Sequence, residues 1–278
     1  MALIPPHFLD CVVSIGIETG ETTKWIGTGF IVALPRPELG EPPQHSTFLV
    51  TNKHVLENTK KIKLRFNSLA GNITKDYTLD TVTNDEKMWS GHPSAEIDIA
   101  AITINSSYLL SDSVKFTPLI LGRESLDNEQ MKSSGLSEGD QVYVLGYPLG
   151  IVSENNNYVI ARAGVIARIR DMLAGHSSNF LIDSNIFPGN SGGPVIVRPE
   201  AMSINGTQAI TKSSLIGIVK SYVPFNDVAI SQQTGRPRVI FEENSGLALV
   251  ESVTNIIQTV QLELQRAQAI KNEQTQSE

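Results

Sequence analysis

Apolar and polar residues alternate over short stretches through most of the chain, and turn residues separate the stretches. Near the N-terminus, Val12, Val13, Ile15 and Ile17 show this near-alternation. A period of two residues is typical of a strand with one buried face. The pattern predicts strands within residues 11–34 and over 48–51, 62–66, 77–82, 97–104, 141–145, 158–169, 179–183, 195–197 and 215–223. So many short strands predict an all-β protein built from sandwiches or barrels.

The last apolar segment has the period of a helix instead. Its apolar residues fall three, four, seven and eleven positions after the first: Val253, Ile256, Ile257, Val260 and Leu264. This spacing places them on one helix face. We therefore predict a C-terminal helix over residues 251–270 that packs on the strands before it, with a partner-binding helix as the alternative. The polar residues 271–278 are predicted to form a disordered tail.

Two stretches interrupt the strand pattern. From about Thr117 to Gly139 the sequence becomes polar and rich in glycine and serine, which predicts a boundary between a domain of residues 1–120 and another of residues 121–250. The segment 35–47 contains four prolines and is predicted to be an irregular excursion at the tip of a hairpin.

Composition and charge exclude several classes of protein. The chain has 278 residues, 40% of them hydrophobic and 18% charged, as in an ordinary globular protein. Its net charge is −7 and its longest basic run is Lys60-Lys61, so neither nucleic acid nor an anionic membrane is an expected partner. No apolar run is long enough for a membrane helix, and the N-terminus lacks the pattern of a signal peptide.

The single cysteine, Cys11, cannot form an internal disulfide. Because apolar residues follow it, we expect a small buried side chain, with a thiol nucleophile as the alternative. The cysteine content and the N-terminus together predict a cytoplasmic protein.

The stretch most suggestive of chemistry is Pro188-Gly-Asn-Ser-Gly-Gly-Pro194, a glycine-rich loop that leads into an apolar strand. Glycines allow unusual backbone angles and close approach, so the Ser191 hydroxyl and neighbouring N–H groups can face a common point. A serine nucleophile needs this arrangement, because N–H donors must stabilise the oxyanion that forms as the hydroxyl attacks. A glycine-rich hairpin without chemistry is the alternative.

A serine nucleophile needs a base and a group that orients the base. Of the five histidines, His54 alone directly follows an apolar strand, which can hold its ring in place. Asp98 lies within the apolar run Ile97–Ile102, where a carboxylate requires a partner. Taken singly, His54 could be a structural histidine, and Asp98 could cap a turn or pair with an arginine.

In chain order, His54, Asp98 and Ser191 place the base and acid in the first half and the nucleophile in the second. The segments 51–55, 98–100 and 189–194 resemble the three motifs of trypsin-like serine proteases, closest in pattern to the protease domain of bacterial HtrA/Deg proteases. Supporting matches occur at residues 27–30, 139–140, 146–150, 163–166, 183, 215–218 and 245–248. The resemblance spans roughly residues 10–265, and three motifs in order make it specific.

The resemblance implies two six-stranded antiparallel β-barrels with a cleft between them. It implies that Ser191 is the nucleophile, His54 the general base and Asp98 its orienter, with the N–H groups of Gly189 and Ser191 as the oxyanion hole. The residues expected to bind substrate are Asn185, Val219, Lys220, Ser221 and Tyr222, the last four as an edge strand. It implies no cofactor and no metal, and a protein or peptide as substrate.

The sequence also departs from the family pattern. Too few residues follow position 250 for the peptide-binding PDZ domain of many HtrA proteases. Asn190 stands where digestive relatives carry the aspartate used in N-terminal activation, so that mode of activation is not expected. Lys220 is expected to be solvated. The predicted function is an intracellular serine endopeptidase, and the alternatives are a protease silent until an activating protein partner binds, or a non-catalytic peptide-binding module.

Overall fold

A computed structural model describes residues 4–40, 44–200 and 209–276, and most of them lie in strands. The strands of the first half are β1 (Val12–Thr19), β2 (Thr22–Arg36), β3 (Gln44–Thr51), β4 (Lys61–Ser68), β5 (Thr74–Asp80), β6 (Val82–Thr83), β7 (Glu86–Lys87), β8 (Ser90–Gly91), β9 (Ala100–Thr103), β10 (Val114–Lys115) and β11 (Leu119–Ile120). Those of the second half are β12 (Gln141–Gly146), β13 (Ile160–Arg168), β14 (Asn179–Asp183), β15 (Pro194–Val197), β16 (Ser214–Ile230) and β17 (Pro237–Ser252). The helices are α1 (Pro6–Asp10), α2 (Lys53–Leu56), α3 (Ser106–Ser111), α4 (Asn128–Ser133), α5 (Arg170–Leu173) and α6 (Val253–Gln276).

The first-half strands form a nine-stranded sheet in a partly barrel-like arrangement, with the path β10-β4-β1-β2-β3-β9-β8. β5 pairs with β4, and β11 pairs with β2. In β4 the residues Ile62, Leu64 and Phe66 are buried, and the intervening Lys63 and Arg65 are not. The alternation predicted from the sequence therefore gives this sheet its inner face.

The second-half strands close into a six-stranded barrel in the order β12-β13-β14-β17-β16-β15. Its core contains Val144, Ile182, Val195, Ile216 and Val250. The predicted fold class, all-β with two barrels and a C-terminal helix, is confirmed. The first half, however, is a larger sheet than the predicted six-stranded barrel.

A third apolar cluster joins the two halves. Phe30, Val50 and Ile99 from the first half pack in it with Leu145 and Ile218 from the second. The helix α6 buries Val253, Ile256 and Val260 in the same cluster, as its sequence period predicted. This shared core fixes the position of one half against the other, and therefore of any site built between them.

Three boundaries differ from the predictions. The helix α6 continues to Gln276, so residues 271–276 of the predicted tail are helical, and residues 277–278 lie outside the described residues. Regular pairing also enters the proline-rich segment, since β2 runs to Arg36 and β3 begins at Gln44. The hairpin is confirmed there, but the irregular part is shorter than predicted because Pro35 occupies a strand end.

The largest difference is the hairpin of β16 and β17. β16 continues to Ile230, seven residues past its predicted end, and pairs with β17 along almost its whole length.

Cys11 is fully buried as expected, and this burial raises the pKa of its thiol. Among the described residues, no helix has the length and apolar character needed to cross a membrane.

Candidate active site

The antiparallel pairing of β3 with β9 brings His54 and Asp98 together. Thr51, the last residue of β3, pairs with Ala100, the first of β9, so the chain after one strand lies beside the chain before the other. His54 follows on the short helix α2, and its Nδ1 lies 2.5 Å from Asp98 Oδ2. The backbone N–H of His54 donates to Asp98 Oδ1 at 3.1 Å. These two contacts hold His54 against one carboxylate through its backbone N–H and Nδ1, and they leave the other ring nitrogen, Nε2, without a contact to Asp98.

The backbone around Asp98 is held from the same strand end. Its carbonyl accepts hydrogen bonds from the Asn52 side-chain amide at 2.7 Å and from the Lys53 N–H at 3.3 Å. The flanking Ile97 and Ile99 are buried, as the apolar run predicted. Asp98 itself lies in the loop before β9 rather than inside a strand, which leaves its carboxylate free to turn toward His54.

A buried carboxylate lies behind this loop. Glu251, at the end of β17, is fully buried and accepts the Asp98 N–H with both oxygens, at 2.8 and 3.0 Å. Lys220 Nζ lies 3.0 Å from Glu251 Oε1 and also donates to the Glu96 carbonyl. Burial raises the pKa of the Glu251 carboxyl, while the Asp98 N–H and the Lys220 ammonium oppose that rise. Lys220 is therefore ion-paired and mostly buried, not solvated as predicted.

The loop that carries Ser191 is shaped by its glycines. Gly189 has φ +100°, and a Cβ there would lie 2.3 Å from the Tyr147 carbonyl. Gly192 has φ +84°, and a Cβ there would lie 2.1 Å from the Thr28 carbonyl. Only glycine fits both the backbone angle and the space at these two positions.

Thr28 of β2 ties this loop to the first half of the chain. Its N–H donates to the Ser191 carbonyl at 2.9 Å, and its hydroxyl donates to the Gly189 carbonyl at 2.6 Å. The Thr51 hydroxyl donates to the Thr28 carbonyl at 2.8 Å, which connects the loop to the strand end near His54. Thr28 lies within the matching segment 27–30, but the sequence alone does not indicate this role.

Two N–H groups of the loop are available for a ligand. Within the part of the chain that the structure describes, neither the Gly189 N–H nor the Ser191 N–H donates a hydrogen bond. The N–H groups of Asn190, Gly192 and Gly193 are all bonded to backbone carbonyls. These two donors are the ones that the family resemblance implies for an oxyanion hole.

The Ser191 hydroxyl bonds to the carbonyl of Lys220 at 3.4 Å, and to no other group among the described residues. The Lys220 side chain reaches the loop of Asp98 through Glu96 and Glu251. One residue thus contacts both the predicted nucleophile and the loop of the predicted acid. The structure accordingly places Ser191, Asp98 and His54 around one junction of the two halves, without a direct hydrogen bond between Ser191 and His54.

The predicted substrate residues have different surroundings. Val219 is fully buried, its N–H donates to the Gly193 carbonyl at 2.9 Å, and its carbonyl accepts the Gly192 N–H at 3.0 Å. Its predicted pairing with substrate is therefore wrong, because both of its backbone groups already have partners. Ser221 is exposed and Tyr222 half-buried on the same strand. Asn185 is exposed, and its Oδ1 lies beside Gly246.

Two further side chains at the site were not expected. Glu251 was not predicted, because it lies at the start of the predicted helix. The available signal was a lone acid between Val250 and Ser252, just before the apolar helix face. The amide of Asn190 is buried, and both of its polar atoms lack hydrogen-bond partners among the described residues. No group of three or more potential metal ligands occurs within residues 4–40, 44–200 and 209–276.

Comparison with known proteins identifies the family. Residues 11–200 match the trypsin-like peptidase domain. A search of curated proteins gave no match. Among solved structures, the chain is similar to the protease domain of MamO from Magnetospirillum magneticum in its apo form, with 14% identity, a TM-score of 0.47, and coverage of 91% of this chain and 96% of that one.

Proposed function

The chain belongs to the trypsin-like peptidase domain family, and from this premise we propose that it is a serine endopeptidase. The observation that carries the proposal is the joining of two features at one junction. An imidazole is held by a carboxylate at 2.5 Å, and a serine loop presents two N–H groups that have no partner among the described residues. Acyl transfer needs both a positioned base and preorganised donors for an oxyanion.

The chemistry follows from these groups. With Nδ1–H donated to Asp98, the lone pair of His54 Nε2 takes the proton as Ser191 Oγ bonds to the carbonyl carbon of the substrate. The N–H groups of Gly189 and Ser191 stabilise the oxyanion. His54 then protonates the departing amine as the C–N bond breaks. Water, deprotonated by His54, then bonds to the acyl carbon, and the bond from that carbon to Ser191 Oγ breaks. His54 returns the proton to Ser191 Oγ, and the product leaves as a carboxylic acid.

Substrate binding also explains how the serine is freed. In the structure the Ser191 hydroxyl donates to the Lys220 carbonyl. The residue before the cut becomes the acyl group on Ser191, so its own N–H comes close to that carbonyl. When this N–H bonds to Lys220, the hydroxyl is released and turns to His54. Hydrogen bonds of a catalytic site commonly tighten in this way only when substrate is present.

Labelling with a fluorophosphonate probe tests the proposal directly. The probe phosphonylates a serine only when its base and oxyanion donors work together, so we expect one adduct, at Ser191. Ser191→Ala is the control and should remove the adduct and lower kcat by a factor on the order of 10⁶. A folded, purified protein that gives no adduct would contradict a competent site.

A partner-activated protease is the second candidate. The bond of Ser191 to Lys220 rather than to His54 favours it, because a partner could supply the rearrangement that we assign to substrate. Labelling in cell lysate, but not with the purified protein, distinguishes this candidate. A non-catalytic peptide-binding module would give no labelling in either case, and its peptide affinity would be unchanged by Ser191→Ala.

A further inference from the structure

β16 and β17 continue beyond the barrel as a two-stranded ribbon, which we define as residues 223–230 and 237–244. Its large apolar side chains are 40% to 64% exposed: Phe225, Val228, Ile230, Val239, Ile240 and Phe241. Such a cluster of exposed apolar residues marks a surface that contacts another molecule.

The register shows that both faces of the ribbon are apolar. Residues paired across antiparallel strands share a face. Asp227 pairs with Phe241, and Val228, on the opposite face, pairs with Ile240. A two-stranded ribbon is at best marginally stable alone. A partner that packed against one face of the ribbon would require apolar residues on that face only. A strand that paired with the edge of the ribbon would place its own side chains beside both faces.

The edge of β16 is open for such a strand. β15 pairs with β16 only as far as Ile218, and β17 occupies the other edge. After Val219, no strand pairs with the outer edge of β16 in the described part of the chain. Pro224 lies on this segment, and proline within sheets is confined to free edges because it lacks the N–H of a ladder bond.

This open edge begins at the candidate active site. Its first residue, Lys220, has the carbonyl that lies 3.4 Å from Ser191 Oγ. The base of the ribbon is fixed to the site, because Tyr222 OH donates to Glu242 and Asn244 Nδ2 donates to the Ile186 carbonyl at 2.5 Å. From residue 224 to 230 the edge extends about 20 Å away from Ser191 at the usual rise of a strand.

The charges of the ribbon indicate the occupant. Asp227, Glu242 and Glu243 lie in its middle and barrel-side part. The arginines lie farther from the barrel, Arg238 near the ribbon's tip and Arg236 in the adjoining turn. A strand that adds to the near half therefore meets a negative surface with apolar residues beside it. Basic and apolar residues in alternation complement that surface, and acidic residues do not.

We propose that the open edge of β16, from Lys220 through the ribbon, binds an extended segment of the substrate on the amino side of the cut. The preferred segment is unfolded and alternates apolar with basic residues. The amino side is assigned because the residue before the cut is the one that remains on Ser191, next to this edge. The inference rests on the proposed endopeptidase function, and it enlarges the substrate contact well beyond Lys220 to Tyr222.

Binding to the Ser191→Ala protein tests the inference without any turnover. The probes are fluorescein-labelled peptides of alternating valine and lysine, four or ten residues long, and a ten-residue peptide of alternating valine and glutamate. By fluorescence anisotropy we expect the long valine–lysine peptide to bind at least about tenfold more tightly than the other two. The triple variant Phe225→Ser, Val228→Ser, Ile230→Ser should abolish this difference.

Leu69→Ser with Ile73→Ser is the matched control, since it removes two equally exposed apolar side chains from the loop between β4 and β5. It should leave the affinity unchanged. Equal affinity for long and short peptides, or equal effects of the two variants, would overturn the inference. So would a dimer in sedimentation that the triple variant dissociates, because a second copy would then occupy the edge. The triple variant is also made with Ser191 intact. Its rate of fluorophosphonate labelling reports on the active site independently of peptide binding.

Discussion

Glu251 accepts the backbone N–H of Asp98 with both carboxylate oxygens, at 2.8 and 3.0 Å. The first residue belongs to the closed barrel and the second to the loop that orients His54. Because Lys220 pairs with Glu251 and contacts Ser191 through its carbonyl, one largely buried ion pair supports both the proposed acid, Asp98, and the proposed nucleophile, Ser191. The two halves of the chain are thus linked through Glu251 as well as through Thr28.

Lys220→Met should destabilise the protein strongly. It leaves the fully buried Glu251 carboxylate without its cation, and removing one partner of a buried pair costs about 3–5 kcal/mol. Urea unfolding at neutral pH measures the loss. The double variant Lys220→Met with Glu251→Gln should recover most of it, because the uncompensated charge is gone.

The exposed pair of Lys61 and Asp80, 3.5 Å apart, provides the control for this cycle. Lys61→Met should change the free energy of unfolding by at most about 1 kcal/mol. If Lys220→Met were equally mild, the Glu251 carboxylate would have to be protonated or solvated at neutral pH, contrary to its burial between Lys220 and Asp98.

The pH dependence of stability should carry opposite contributions from two glutamates. The folded-state pKa of Glu251 is raised above its usual 4.5, so the folded state binds this proton more tightly and stability falls as pH rises through that range. For Glu138, burial raises the pKa, but hydrogen bonds from the Ile169 and Arg170 N–H groups outweigh it and hold the pKa at about 2. Its contribution is therefore present above pH 4.5 and is lost as the pH falls toward 2.

Urea unfolding from pH 2 to 8 separates the two contributions. Glu251→Gln should remove a decrease of stability with rising pH, and Glu138→Gln should remove an increase of stability with rising pH. Curves of unchanged shape for either variant would contradict the corresponding assignment.

Gly189→Ala should inactivate the serine without unfolding the barrel. A Cβ at this position meets the Tyr147 carbonyl at 2.3 Å, so the loop must shift and the Gly189 N–H must turn away. Loss of one oxyanion donor lowers kcat by about 10²–10³. Gly139→Ala is matched in backbone angle, with φ +97°, but has no atom within 4 Å of the added Cβ. Gly139→Ala should therefore introduce backbone strain without a steric clash, and its rate of probe labelling should be normal.

Thr28→Val should weaken the link between the two halves. Valine has nearly the shape of threonine but can neither donate to the Gly189 carbonyl nor accept the Tyr147 N–H, at 2.6 and 3.0 Å. Leaving these buried groups unpaired costs about 1–3 kcal/mol each. The thermal unfolding temperature and the rate of fluorophosphonate labelling should both fall. Thr22→Val, which removes an exposed hydroxyl bonded to the Thr19 carbonyl, should change neither.

Much of this architecture could be predicted because it depends on local periodicity. Alternation identified the inner face of β4 and most barrel strands, and helical spacing identified the buried face of α6. The long ribbon escaped prediction for the same reason. Apolar residues on both of its faces remove the alternation, and Pro224 and Pro237 at strand positions look like turn signals.

The sequence by itself determined the family motifs, their order along the chain and the glycines that the Ser191 loop requires. It could not determine which groups lie behind those motifs. Glu251 is 153 residues from Asp98 and Thr28 is 161 residues from Gly189, and only the folded chain brings each pair into contact. Tertiary structure also decided that Val219 is a core residue whose backbone groups are hydrogen-bonded and that Lys220 is partly buried in an ion pair. Such facts depend on which strand neighbours which, and no local pattern of apolar and polar residues encodes that.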